Sequence, residues 1–309
     1  MKTPKWFLRK GLIACILLPL SLFYWCASRA VYKLRARRPY VSRRKIVCVG
    51  NILAGGVGKT PIVRQIALQL DAPVVMRGYK KSVKTGNVGD EALMLARDGL
   101  NVHTGSRYSN IVLLNKQKSK TPIVMDDGFQ NPYIKKDLSI VVVDESFGFG
   151  NGFLLPAGPM REGLSGLLRA DAIIVIRAAA GAKKKELKLP ENIPTFYAEN
   201  TTVSPYGDDV RLVAFAGIGY PQKFFARLKN VVKKVSFADH YQYNENDIKK
   251  LFALAEKYNA ALVTTEKDWV RLPACVRDKI KYAGLKTVID KKFFVWLKER
   301  LDGNVQEKN

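Results

Sequence analysis

From residue 45 onward the chain alternates short apolar runs with stretches whose hydrophobic residues recur at helical spacing. "KIVCVGN", "APVVMRGY", "TPIVMDD", "LSIVVVDE" and "DAIIVIR" are too short for full helices and too continuous for strands with one wet face. Such runs suit a mostly parallel sheet covered by helices on both sides. Between them, "PIVRQIALQL" sets Ile62, Ile66 and Leu70 on one helical face. A second α/β stretch begins near residue 211, where "RLVAFAGIG" and "KVSFADH" read as strands and Pro221 suits the start of a helix. "NDIKKLFALAEKYNA" then stacks Ile248, Leu251, Phe252, Ala255 and Tyr258, and a strand "ALVTTEKD" follows. The polar "AENTTVSPYGDD", residues 198–209, predicts a hinge. The pattern therefore predicts an α/β protein with a core lobe over 41–200 and a smaller α/β lobe over 201–309 that completes the site. Residues 1–40 form a separate N-terminal segment.

The first strand ends in "GNILAGGVGKTP", residues 50–61, and an amphipathic helix follows. That context gives a GKT match chemical meaning. Backbone N–H groups of a glycine-rich turn and a helix start can cradle phosphate oxygens, Lys59 can reach the terminal phosphates, and Thr60 can ligate Mg²⁺. Gly55, Gly56, Val57 and Gly58 line this loop, and Leu53 stands where the common pattern has its first glycine. The expected fold is thus P-loop NTPase-like, with ATP and Mg²⁺ bound. "IVMDDGFQN" supplies Asp126 and Asp127 at the end of an apolar strand, where a carboxylate can hold the metal directly or through water. Neighbouring side chains in extended backbone point opposite ways, so both can serve one site only if the strand ends between them.

Composition adds a partner class. With 52 Lys and Arg against 27 Asp and Glu, the 309-residue chain carries a formal charge of +25. Such a surface attracts nucleic acid, anionic lipid and phosphorylated substrates alike. Nothing reads as a recognition helix, an aromatic RNA platform or a basic arm apart from the N-terminal flanks, so no nucleic acid is expected. No obligate protein partner is inferred. Cys15, Cys26, Cys48 and Cys275 show no paired spacing, which fits reduced thiols with Cys48 as a small hydrophobe in a strand.

Residues 11–28, "GLIACILLPLSLFYWCAS", hold no formal charge. Lys2, Lys5, Arg9 and Lys10 precede them, and Arg29, Lys33, Arg35, Arg37 and Arg38 follow. A cleaved signal peptide would strand an ATP site outside the cytosol. A membrane-associated helix is favoured, and both a spanning helix interrupted at Pro19 and one lying in the cytosolic leaflet remain open. Phe23, Tyr24 and Trp25 suit the interface.

The acceptor is harder to read. There are two histidines, His103 in "LNVHTGSRY" and His240 in "FADHYQY", the latter beside Asp239. Asp90 and Glu91 open an apolar helical run, where helix capping is their plain explanation.

Taken in order, "GNILAGGVGKTP", "RGYK", "VGDEALMLA", "DDGFQN", "FGNGFLLPAGPMRE", "AFAGIG", "FADHYQY" and "TTEKD" resemble tetraacyldisaccharide 4′-kinase, the lipid A 4′-kinase of Gram-negative bacteria. The resemblance covers about residues 43–272, and "GNGFLLPAGPMRE" weighs most because P-loop proteins in general have no reason to carry it. It implies transfer of the ATP γ-phosphoryl group to the 4′-hydroxyl of a tetraacyldisaccharide 1-phosphate, giving lipid IVA. The implied setting is the cytosolic face of the inner membrane, against anionic phospholipids. By the same resemblance, Lys59 and Thr60 serve nucleotide and Mg²⁺, and Asp126 and Asp127 serve the metal and catalytic electrostatics. Asp90 becomes the base for the sugar hydroxyl, with His240 orienting it. Glu91, Arg77, Arg107, Arg161 and Glu162 match family motifs and become substrate-site candidates, the arginines because guanidinium grips phosphate bidentately. The competing expectation is a P-loop switch ATPase acting on nucleic acid or a protein partner, whose double-glycine loop looks similar.

Overall fold

In the computed structural model, which describes residues 4–78, 89–179, 181–182, 184–219 and 221–303, the chain divides into two compact units. The smaller comprises Gly89–Met94 and Thr201–Lys286, and the larger takes the remaining described residues. This division is not linear: the segment carrying Asp90 belongs with residues beyond 200, and the chain from Thr287 returns to the larger unit. Tyr79, Lys80 and Val88 of the quoted motifs, and Lys2 of the basic flank, lie outside the described residues.

The larger unit begins with a short 3-10 turn, Lys5–Phe7, then helices α1 (Leu12–Ile16) and α2 (Leu18–Arg35). The uncharged N-terminal run is therefore broken at Leu17, with Pro19 in the first turn of α2, where its missing N–H costs nothing. Among the described residues no helix is long and apolar enough to cross a membrane. Next come β1 (Ile46–Gly50), α3 (Lys59–Leu70), β2 (Val74–Met76), α4 (Asp90–Arg97, whose first five residues belong to the smaller unit), β3 (Val102–Thr104), α5 (Arg107–Asn115), β4 (Ile123–Asp126), β5 (Leu138–Asp144) and β6 (Ala172–Ile176). The strand order in this unit is β3-β2-β4-β1-β5-β6-β7, where β7 is Thr195–Val203, and its pairings are parallel. β1, β4 and β6 are buried along their whole length, as continuous apolar runs covered on both faces require. Ile62, Val63, Ile66 and Ala67 form the buried stripe of α3.

Parallel register then places the chemistry. Val49 pairs with Asp126, so the carboxyl end of β4 lies beside the entrance of the glycine loop that follows β1. Ligands gather at such strand ends where the strand order reverses, as it does around β1.

In the smaller unit β8 (Leu212–Ala216), α6 (Pro221–Phe225), β9 (Val231–Ser236), α7 (Glu245–Lys257), β10 (Ala261–Thr265), α8 (Glu266–Trp269), α9 (Ala274–Arg277) and β11 (Lys281–Ile289) build a sheet ordered β11-β10-β8-β9. Alternate residues of β8 feed two cores. Leu212, Ala214 and Ala216 pack with Phe224 and Phe225, while Val213 and Phe215 pack with Ile248 and Leu251 of α7. An Asn244–Asp247 capping box starts α7. The last helix, α10 (Lys291–Asp302), buries Phe293 and Leu297. The stretch 198–209 that composition marks as a hinge enters as strand, since β7 runs to Val203 with only Ala198 fully buried. Beyond Ala198 its residues alternate between exposed (Glu199, Thr201, Val203) and half-buried (Asn200, Thr202) positions.

Candidate active site

Two clusters of the sequence-derived candidates assemble, one within each unit. In the larger unit, Gly58 caps α3 at φ 79° with no side chain bonded to the helix start, leaving those N–H groups to an anion. That backbone angle lies in the left-handed region, where glycine is the unstrained choice. Leu53 explains its departure from the common loop pattern. It is 2% exposed and forms an antiparallel bridge with Met160, flanked by hydrogen bonds from Ala54 N to Pro159 O (2.7 Å) and from Arg161 N to Ile52 O (2.8 Å). The loop entrance is thus stitched to the "LLPAGPMRE" segment, and the stitch delivers Arg161 to the site. Leu53→Gly is expected to cost about 3 kcal/mol, the scale of emptying a buried leucine position, and to weaken nucleotide binding. Denaturant titration and calorimetric ATP binding check this; unchanged midpoint and affinity would refute the stitch.

The strand does end between the two aspartates. β4 stops at Asp126, and Asp127 adopts φ 50°, which turns its carboxylate toward the loop. Asp127 Oδ1 lies 3.2 Å from Lys59 Nζ, and Arg161 Nη1 donates to both its oxygens at 3.0 and 3.1 Å. Burial raises the Asp127 pKa, but Lys59 and Arg161 outweigh it and hold the group below the usual carboxylate range. Arg107 binds main chain, donating from Nη2 to the carbonyls of Asp126 and Asp127, each at 2.8 Å. It fixes the aspartate turn. Glu162 accepts from Arg169 Nη2 (2.5 Å) and from Gln130 Nε2 (2.8 Å). Arg77 is exposed just past β2. Beneath the loop, burial pushes the Cys48 thiol up to about 12, so it packs as a hydrophobe.

Thr60 lies in the first turn of α3, and Asp126 and Asp127 lie at the carboxyl end of β4, whose Asp126 is in register with Val49 of β1. One hydroxyl and one or two carboxylates, completed by phosphate and water, suit Mg²⁺, which seldom uses an all-protein cage. Asp127 is engaged by Lys59 and Arg161, and Asp126 ends β4 beside it.

In the smaller unit, Asp90 and His240 meet: His240 Nδ1 lies 3.0 Å from Asp90 Oδ2. His240 sits at φ 59°, a turn conformation that histidine tolerates better than most side chains. Glu91 pairs with Lys267 at 2.8 Å. Burial raises the Asp90 pKa, yet hydrogen bonds and charge from Arg271, with Lys267 and His240, leave it lowered. His103 instead lies on the strand β3, where burial lowers its pKa.

A family model described as tetraacyldisaccharide-1-P 4′-kinase (LpxK) matches residues 13–302. The chain belongs to the tetraacyldisaccharide 4′-kinase family. It is 40% identical to the tetraacyldisaccharide 4′-kinase of Paramagnetospirillum magneticum over 308 residues, covering 91% of this chain and 92% of that one. The protein of the same name from Rhodospirillum rubrum is 38% identical, covering 94% of each chain. The crystal structure of LpxK from Aquifex aeolicus in complex with ATP superposes with a TM-score of 0.72 at 24% identity, covering 94% of this chain and 99% of that one, which shows a shared fold.

Several residues of this family member escaped the sequence reading. Gln130 donates to Asn51 O (2.6 Å) as well as to Glu162, tying the aspartate turn to the loop. Lys267 and Gln130 lie inside quoted motifs, yet spacing alone gave them no partner. Arg271 lies three residues past "TTEKD" and carried no signal of its own. Tyr24 of α2 lies in the field of Arg161 and Glu162, a proximity that hydropathy cannot reveal.

Proposed function

We propose that this chain transfers the γ-phosphoryl group of ATP to the 4′-hydroxyl of a tetraacyldisaccharide 1-phosphate, the lipid A precursor, at the cytosolic face of the inner membrane. The observation that carries the reading is the Lys59–Asp127–Arg161 constellation at a glycine loop in a chain of this family that also holds an Asp90–His240 pair. Loop N–H groups and Lys59 bind and orient the ATP phosphates, and Arg161, released from Asp127, is available to charge developing on the transferred group. Thr60 and Asp126 would hold Mg²⁺, which neutralises phosphate charge when bound. Asp90 accepts the hydrogen bond of the sugar hydroxyl, and His240 orients it. In a loose phosphoryl-transfer transition state the proton leaves late, so alignment counts for more than basicity.

The N-terminal helices suit a lipid substrate. Leu12, Ile16 and Phe23 are 79%, 66% and 74% exposed, an apolar face that fits the headgroup and acyl boundary of an anionic leaflet. On its other side α2 is held to the site segment, where Ser21 Oγ donates to Leu154 O (2.9 Å) and accepts from Ala157 N (3.0 Å). Acyl chains can then stay in the bilayer while the sugar reaches the phosphate loop.

Incubation of purified protein with γ-labelled ATP and detergent-dispersed disaccharide 1-phosphate is expected to move label onto the sugar lipid. ATP hydrolysis stimulated by DNA, RNA or protein with no labelled lipid would instead indicate a switch ATPase and overturn the reading.

A further inference from the structure

Arg271 is the least exposed of the groups that bond Asp90, its side chain 2% accessible. It follows α8, and its Nη1 is committed to the Gly217 carbonyl and to Asp268 Oδ1, each at 3.0 Å. Asp268 is itself immobilised: its Oδ1 also accepts from the Tyr243 hydroxyl (3.0 Å) and its Oδ2 from the Thr265 hydroxyl (2.6 Å). Nε and Nη2 of Arg271 both point at one atom, Asp90 Oδ2, at 2.9 and 2.6 Å. His240 Nδ1 reaches the same oxygen at 3.0 Å. Arg271 Nη2 also lies 3.3 Å from His240 Nδ1; in the tautomer with its proton on Nδ1 the histidine donates to Oδ2, which then receives three donors. Among the described residues none donates to Oδ1.

We propose that Arg271 is a positioning residue for phosphoryl transfer, saturating Oδ2 of Asp90 from a buried scaffold and so dedicating Oδ1 to the acceptor hydroxyl. This rests on the reading of Asp90 as the group that receives that hydroxyl. A lysine could not do the same work. Its single ammonium cannot serve Gly217, Asp268 and Asp90 at once, whereas the planar guanidinium presents five fixed donors. The other charged or titratable groups facing Asp90 are Lys267, paired with Glu91, and His240, whose Nε2 lies 3.9 Å from Asp239. Burial opposes the charged form of Asp90, and Arg271 is the chief counterweight.

The sign of the pH effect follows. With Arg271 present Asp90 stays ionised well into the acid range; without it, burial is less opposed, the pKa rises, and activity falls as pH drops through the new value.

The test measures kcat, both KM values and the pH profile of full-length R271M, R271K and D90N beside wild type. R271M is expected to lose about 10²-fold in kcat at pH 8, to keep its KM for ATP within about threefold, and to have its acid limb displaced to higher pH than that of wild type. R271K is expected to keep the wild-type acid limb and recover about tenfold over R271M, yet stay about tenfold below wild type. Should R271M not fold, the R271K loss at unchanged KM for ATP and unchanged thermal midpoint carries the proposal. D90N inactive beside an R271K indistinguishable from wild type, or an R271M loss uniform across pH, overturns the role of Arg271 alone. A fully active D90N overturns the underlying reading of Asp90.

Discussion

Asp90→Asn is expected to lower kcat by about 10³-fold, near the middle of the range for removing a general base, while ATP affinity stays within about twofold. The substitution keeps size and one carbonyl oxygen but removes the charge on which three donors converge. The amide can turn its NH₂ toward Arg271 and His240 only against like donors, so its oxygen stays on that side and the NH₂ faces the acceptor. A hydroxyl that must donate its proton then meets a second donor. Because the loss belongs to alignment in the transition state, kcat falls and KM for the lipid moves little. His240→Ala removes one of the three donors and leaves Arg271 in place, so its effect is expected to be smaller, about 10- to 100-fold. Steady-state kinetics at saturating ATP, with ATP binding measured separately, distinguish these outcomes. Equal loss in both variants would mean that the histidine does more than orient.

Lys59→Ala is expected to abolish measurable transfer, a fall of at least about 10³-fold, the scale of removing a preorganised charge from a phosphate site. Lys59 is also one of two cations ion-paired with Asp127 among the described residues, so its removal leaves that pairing to Arg161. Arg161 is then held more tightly to Asp127 and less able to reach the transferring phosphate. Both donor binding and chemistry should therefore suffer, in contrast to Asp90→Asn, where donor binding survives. A Lys59→Ala protein with normal kcat would remove the loop lysine from the mechanism.

The sheet strands were legible because a strand covered on both faces must be apolar throughout, as Ile46–Gly50 and Ala172–Ile176 are. β7 escaped for the opposite reason: "TFYAENTTV" buries only Ala198 fully and carries the polar run Glu199 to Thr202, which reads as a turn. In the site, residues on one local stretch were readable, since strand end, glycine turn and helix start are fixed by neighbours in sequence. Thus Lys59, Thr60, Asp126 and Asp127 fall where spacing puts them. Asp90 and His240 could be joined only through family resemblance, since no local rule links positions so far apart. Arg107 shows the limit from the other side. Its residue type suits phosphate, and only the folded structure reveals that its Nε and Nη2 donate to the Asp126 and Asp127 carbonyls.

The discontinuous make-up of the smaller unit has a consequence for the order in which a nascent chain can mature. Asp90 precedes its partners His240 and Arg271 by 150 and 181 positions. At roughly 5–20 residues per second, the ribosome delivers Asp90 about ten to forty seconds before the last of them. The phosphate loop and its aspartate turn can emerge and pack in that interval, while the carboxylate awaits its guanidinium. Synthesis from the N-terminus therefore builds the phosphate loop first and leaves the Asp90 cluster unfinished until Arg271 has been made.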